Sequence, residues 1–350
     1  MAIRTSRRLI TSIDTAQRGS DFAQLSRTVK QHGLLQRRQG SYILKFAINA
    51  ALLAGGWMAF ALLGSSWWQL VTAAFLAVVF TQLAFVGHDA GHKQIFAGKR
   101  ANDVVGYLHA GLVGMSYDWW ISKHNRHHAN PNHEDEDPDI AIPLLAFTSM
   151  QAAAKRGVPR WVAKHQAVFF FPLLALEGLS LHMSGINAVR RREVKATGLE
   201  AALLTIHITG YLTAVFWVLS PLQAIAFIAV HQGLWGLYMG CSFAPNHKGM
   251  ATLSAGQKLD YLRKQVLTSR NVRGGRIVDF LLGGLNYQIE HHLFPSMPRA
   301  NLRHAQPLVQ QFCDLSAIPY TQTSAIGSYA QVLRHLHAIG APLRRKAHAS

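Results

Sequence analysis

The chain has 350 residues, 49% of them hydrophobic and only 15% charged, yet it carries a formal net charge of +18 and a mean hydropathy of +0.10. That is too apolar for a water-soluble globule, and the positive charge flanks apolar blocks rather than covering a surface, which excludes nucleic acid and points to lipid headgroups or acidic partners. Two cysteines, Cys241 and Cys313, cannot build a disulfide framework, so nothing argues for an oxidising compartment.

In chain order, residues 1–41 read as a basic cytoplasmic arm without the apolar stretch of a cleaved signal peptide. From Phe46 to Gly87 there is no charged residue, and from Leu199 to Cys241 only Glu200. All 35 Lys and Arg lie outside these blocks: nine up to Lys45, thirteen from Lys93 to Lys195, thirteen from Lys248 onward. Each block is about twice the length of one membrane span. The expected spans are 42–63, 69–86, 201–219 and 222–239, turning at "GSSWW" and at the "SP" before Leu222. Trp67 and Trp68 suit a membrane interface, and by the positive-inside rule the segments 88–198 and 242–350 share the cytoplasmic side with the N-terminus. Ala167–Leu181 is apolar but contains Pro172 and Glu177, and an acidic residue near mid-membrane costs about 2.5–3.5 kcal/mol. It therefore reads as an interfacial helix, as does Val104–Ile121. Residues 341–350 read as a disordered tail. The expected fold is an all-α integral membrane protein: four transmembrane helices in two hairpins, with a cytoplasmic helical cap, over a working domain of residues 42–340.

Histidines concentrate just outside the apolar blocks, all on the expected cytoplasmic side. "HDAGH" holds His88 and His92, "HNRHH" holds His124, His127 and His128, and "QIEHH" holds Gln288, His291 and His292. Each spacing is i, i+3 or i, i+4, which stacks side chains on one helical face, as ligands are presented in soluble di-iron bundles. Seven imidazoles exceed what one tetrahedral ion uses, so two metals is the economical reading. No thiolate joins them, which argues against structural zinc and iron–sulfur sites; imidazoles alone suit iron, zinc or copper. His207 and His231, inside the spans, read as hydrogen-bonded core residues, and His32, His335, His337 and His348 as solvated surface.

These three motifs resemble the HX3H, HX2HH and (H/Q)X2HH boxes of the membrane-bound histidine-box fatty acid desaturases. Order and context agree: "GHDAGH", "NRHHANPN" followed by "DEDPDI", and "NYQIEHHLFPSMPR". The resemblance covers about residues 40–340 and is nearest to bacterial, especially actinobacterial, acyl desaturases; the glutamine of "QIEHH" also occurs in front-end desaturases of the delta-5 and delta-6 type. It implies an oxygen-dependent enzyme with two non-haem irons that inserts a double bond into a fatty acyl chain, O2 being the co-substrate. Carried over by position, the ligands are His88, His92, His124, His127, His128, His291 and His292, with His247 in "APNHKGM" as an additional one. Asn246 is a candidate to hold a metal-bound water, Gln288 a weak ligand or outer acceptor. Asp89, Asp137 and Asp139 are candidates to orient imidazoles, and Trp119 and Trp120 to line an acyl groove.

The resemblance also sets expectations for partners. No HPGG haem motif of a fused cytochrome b5 domain occurs, so electrons are expected from a separate carrier, a ferredoxin or similar protein with its reductase, docking on the basic face. The substrate is a fatty acyl group on coenzyme A or lipid, and the setting a bacterial inner membrane with both termini and the active site cytoplasmic. Two rivals stand beside this reading. A membrane di-iron hydroxylase or ketolase of alkanes, sterols or carotenoids shares the histidine spacing. A metal transporter would need ligating groups near the bilayer midplane, whereas these clusters lie outside the apolar blocks.

Overall fold

A computed structural model describes residues 20–254 and 256–344. The chain begins with α1 (Asp21–Gln31), then two long apolar helices, α2 (Gln39–Leu63) and α3 (Gln69–Gly91). Shorter helices follow: α4 (Lys99–Val113), α5 (Tyr117–Ala129), α6 (Ser149–Ala154), α7 (Gly157–Lys164), α8 (Gln166–Leu174) and α9 (Glu177–Arg190). A second apolar pair is α10 (Thr197–Val218) and α11 (Pro221–His247). The rest comprises α12 (Tyr261–Leu267), α13 (Arg276–Leu281), α14 (Gln288–Leu293), α15 (Arg299–Leu315) and α16 (Ala325–Arg344). The fold is predominantly helical, with one departure from an all-α chain. Two three-residue strands, β1 (Asn271–Arg273) and β2 (Gln322–Ser324), pair in parallel, with Asn271 opposite Gln322 and Arg273 opposite Ser324.

Four helices are long and apolar enough to cross a bilayer, the four expected from composition. The shortest, at 22 residues, spans the roughly 30 Å hydrocarbon core at about 1.5 Å rise per residue. They are not equivalent. Only 17% of the apolar window of α2, and of α10, is buried, against 61% in α3 and 44% in α11. The second helix of each pair is therefore central, and the first presents its apolar surface outward. Leu76 of α3, Phe60 of α2, Val215 of α10 and Phe227 of α11 share one buried cluster.

The stretch Ala167–Leu181 does not form a straight span: α8 and α9 meet at a 67° bend, with Pro172 near the end of α8 and Glu177 opening α9. α9 instead packs backbone to backbone on α11. A Cβ on Gly236 would lie 2.6 Å from the Gly178 nitrogen, so only glycine fits there.

Two boundaries differ from expectation in a way that matters. α3 continues past residue 86 to Gly91, and α11 past residue 239 to His247, because loss of hydrophobicity is not a helix stop. The second case survives Pro245 inside its last turn. Proline has no N–H to give the Cys241 carbonyl, and the Tyr329 hydroxyl donates to that oxygen instead, at 2.5 Å.

α4 and α9 pack along α3 and α11 inside the bundle, so the expected interfacial stretch Val104–Ile121 is instead two helices broken at Gly114; the other short helices form a layer at the histidine-bearing ends of α3 and α11. Leu25 and Val29 of α1 are fully buried against Leu262, Leu293, Leu308 and Phe312, so the described part of the expected basic arm is a packed helix. At the other end, residues 341–344 belong to α16 rather than to a tail; residues 345–350, and with them His348, lie outside the described residues.

Candidate metal centre

Four helices and one cap residue deliver the histidines. His88 sits in the last turn of α3, with His92 as its C-cap. α5 starts at an N-cap, Ser116, whose hydroxyl accepts from the Trp119 N–H, and it carries His124, His127 and His128 in its second half. The turn before α5 is possible because Gly114 adopts φ 72°; a Cβ there would press on the His207 and His182 rings. His247 ends α11, and α14 is a fully buried helix bearing His291 and His292.

These residues gather into two neighbouring sets. His88, His92, His124 and His291 each offer a ring nitrogen within 4.8 Å of the others, and so do His127, His247 and His292. His128 stands between: its Nε2 lies 3.1 Å from His124 Nε2 and its ring stacks on His292 at 4.1 Å. His291 and His292, adjacent in sequence, point into different sets, their ring planes 87° apart.

The donor atoms fit metal ions. Nitrogens about 2.0–2.1 Å from one ion lie roughly 3–3.4 Å from each other. His92 and His124 Nε2 are 2.9 Å apart, and His127 and His247 Nε2 3.3 Å. The opposite ring nitrogens are engaged elsewhere: His127 Nδ1 with Asp137 at 3.0 Å, His247 Nδ1 with the Thr268 carbonyl at 3.0 Å, His292 Nδ1 with Gln265 Oε1 at 2.9 Å, and His88 Nδ1 with Asp89 at 3.4 Å. Donating from Nδ1 leaves the Nε2 lone pair facing inward, as a ligand requires. His88 Nε2, His292 Nε2 and both nitrogens of His291 are buried with no hydrogen-bond partner, a costly state unless a cation takes the lone pairs. Burial, reinforced by neighbouring imidazoles, holds His92, His124, His128, His291 and His292 well below the usual imidazole range, hence neutral.

The acids form a surrounding ring. Asp137 accepts from His127 and from the backbone N–H of Asn132 and Asp139. Burial alone would raise the Asp139 carboxyl, but Lys123, His127 and Lys248 hold it below the ordinary range. Asp89 pairs with Arg299 at 2.7 Å as well as touching His88. Glu290, between the box residues, faces away: it accepts from Asn271 and Tyr320, both at 2.7 Å, and burial pushes its carboxyl up to about 7.

Gln288 turns its amide nitrogen, not its oxygen, to His247 Nε2 at 2.9 Å. Asn246 dictates this. Its Nδ2 donates to the Ser242 and Leu285 carbonyls and to Gln288 Oε1, so that oxygen is taken; Asn246 Oδ1 is buried without a partner.

A cavity of about 150 Å³ opens on the histidines. His88, His124, His127 and His247 form one wall, Phe147, Phe170, Leu174, Met239 and Phe243 the others, and Lys123, Lys248 and Glu177 add charge. Trp120 lines it and stacks on His124 at 4.5 Å; Trp119 does not line it and is half-buried against the apolar cluster that includes Leu83 and Met239.

Sequence reasoning missed Arg299, Gln265 and Thr268. Only Arg299 had a signal, in the "PSMPR" that follows the third box. Among the other histidines, His231 bonds to the Tyr211 hydroxyl at 3.0 Å, His207 stacks on Tyr211, and His32 and His337 are exposed. His335 is not a solvated residue: it is half-buried and bonds the Phe147 carbonyl, because α16 packs on the segment before α6.

The Fatty acid desaturase family matches residues 65–324. Over 320 residues the chain is 30% identical to a Delta(5) fatty acid desaturase of Caenorhabditis elegans, covering 87% of this chain and 70% of that protein. It is 29% identical over 345 residues to a Delta(6)-fatty-acid desaturase of the same organism, covering 93% and 76%. An acyl-lipid (9-3)-desaturase of Physcomitrium patens is 29% identical over 335 residues, 91% of this chain but only 62% of that protein's length. These relatives are eukaryotic and lend nothing to a bacterial setting.

Proposed function

The chain belongs to the fatty acid desaturase family, and on that premise we propose that it is an oxygen-dependent acyl desaturase built on two non-haem irons. The observation that carries this is the pair of imidazole sets, each turning neutral ring nitrogens to a common point, beside an apolar cavity. His88, His92, His124 and His291 would hold one iron, and His127, His247 and His292 the other, with His128 between them. The irons supply the oxidising power to take two hydrogens from neighbouring acyl methylenes, with O2 and two electrons and protons yielding the alkene and two waters.

The chain's own part is positioning. Asp137, Gln265, Thr268 and Asp89 fix ring orientation through Nδ1, and Arg299 holds Asp89. Phe147, Phe170, Leu174 and Phe243 exclude water and align a flexible acyl chain against the histidine wall, with Trp120 setting its approach. Asn246 Oδ1 offers a metal-bound water an acceptor, and the Gln288 amide, which faces His247 Nε2, would yield that lone pair to the iron. α2–α3 and α10–α11 cross as two hairpins, with the cap, both termini and the metal centre on the cytoplasmic side, a reading supported by the exclusion of Lys and Arg from the two turns. Electrons arrive from a separate carrier, and the acyl group is delivered on coenzyme A or lipid.

Expression in a desaturase-poor host, followed by mass spectrometry of double-bond positions and elemental analysis of the purified protein, tests the proposal. New unsaturation with two irons per chain is expected. Hydroxylated or keto products would move the chain to the hydroxylase reading, and active protein with one zinc and no iron would remove the di-iron centre.

A further inference from the structure

A second cavity, of about 430 Å³, lies away from the one that opens on the histidines, between α2, α3, α13 and α15. Its walls combine Lys45, Arg299 and Arg303 with Leu44, Ile48 and Phe280. We propose that it binds the phosphate headgroup of an anionic membrane phospholipid.

The charge is not internally balanced. Asp279 is the one acid in the lining and is committed to Arg303. Arg299 is nine-tenths buried; its Nη2 bonds Asp89 and the Phe85 carbonyl, but its Nε is buried with no partner among the described residues. Lys45 has no carboxylate within ion-pair distance among the described residues. A cavity offering an unpaired ammonium, backed by a guanidinium whose buried Nε N–H has no acceptor, selects a ligand with acceptor oxygens and negative charge.

The surroundings identify that ligand as lipid, an assignment that rests on α2 and α3 lying in a bilayer. Lys45 is in the second turn of α2, where a basic side chain on a spanning helix reaches the headgroup level. Leu44 and Ile48 beside it are 61% and 47% exposed. α13, on the opposite wall, contains no buried residue and turns out Ile277 and Phe280, which suits a helix lying in the interface. A phosphate between Lys45, Arg299 and Arg303 would therefore have its acyl chains on an apolar surface, which a soluble phosphate does not need.

The test is lipid retention by the full chain, read by native mass spectrometry after extraction from bilayers of phosphatidylcholine alone or mixed with phosphatidylglycerol. Wild type should carry phosphatidylglycerol through extraction. Lys45→Gln should retain it about fivefold less, the change that ~1 kcal/mol per basic residue near an anionic surface produces, and Lys45→Arg should restore it. Equal retention by wild type and Lys45→Gln, or equal retention of phosphatidylcholine, overturns the proposal. Excess inorganic phosphate should leave the lipid in place; stripping by phosphate would overturn the lipid assignment in favour of a soluble phosphate ester. Because the readout is bound lipid, it stands or falls independently of iron content and desaturation.

Discussion

Histidines alike in composition have different work in this chain. His247 faces His127 and His292 through Nε2 and is pinned by the Thr268 carbonyl. His182 has its own partners, the Gly114 carbonyl at Nδ1 and the Gln232 side-chain amide at Nε2, inside the helix bundle. His247→Ala should lose the metal of its set and nearly all desaturation, while His182→Ala should keep both metals; equal iron contents in the two purified variants would remove His247 from the centre. The Nδ1 partners allow a finer test. Gln265→Leu and Asp137→Asn each loosen one imidazole without removing a ligand, and such outer partners are worth roughly 10–100-fold in metal affinity. Metal titration of the two variants should show that loss with all eight histidines present, and unchanged affinity would mean that ring orientation is set by packing alone.

At the scale of elements, the second imidazole set depends on how the end of α11 is held. Arg270, fully buried, donates to the Pro245 carbonyl at 2.6 Å, Ser328 Oγ at 2.7 Å, Gln331 Oε1 at 2.8 Å and the Lys248 carbonyl at 2.5 Å, tying the last turn of α11 to α16. Burial lowers its guanidinium to about 10, still charged at neutral pH. A cation at a helix C-terminus also complements the carbonyls left free there. Arg270→Met keeps the volume and strands those carbonyls, so it should cost about 3 kcal/mol of stability, measured by thermal unfolding in detergent. Metal occupancy should fall with it, since His247 rides on the freed turn. A stable variant with full occupancy would show that α11 and α14 hold His247 unaided.

On the scale of the whole molecule, the two imidazole sets join the ends of α3, α5, α11 and α14, so the proposed metals should act as a clasp between the two apolar pairs and the outer layer. Chelation should lower the melting temperature and iron should restore it. A ligand at about one hundred times its Kd stabilises by roughly 2.7 kcal/mol, and an unchanged melting temperature would mean that the layers hold without it. Topology is tested on a version with Cys241 and Cys313 replaced. Single cysteines at Ser65 and Ser220, in the two short turns, should react with an impermeant reagent from outside, and one at Ser184 in α9 should not. Labelling at Ser184 would make the bent α8–α9 pair a fifth span.

Composition and short-range spacing determined the class of protein and pointed to clustered imidazoles able to hold metal. Forty-two residues without a charge, from Phe46 to Gly87, leave two spanning helices as the simplest way to satisfy their backbone in lipid. Imidazoles at i, i+3 and i, i+4 converge on a helical face, so the three clusters were legible as candidate ligand sites. How the clusters divide was not, because that depends on how α5, α11 and α14 approach one another. The adjacent His291 and His292 part company, and His127 joins His247 from 120 residues away. Nor was the setting of each ring legible: the Thr268 carbonyl, Gln265 and Arg299 come from elements far along the chain, and a backbone carbonyl has no signature in sequence. The orientation of Gln288, the Trp120 wall of the cavity and the unpaired charges near Lys45 were decided in the same way, by which long-range partners the packing left over.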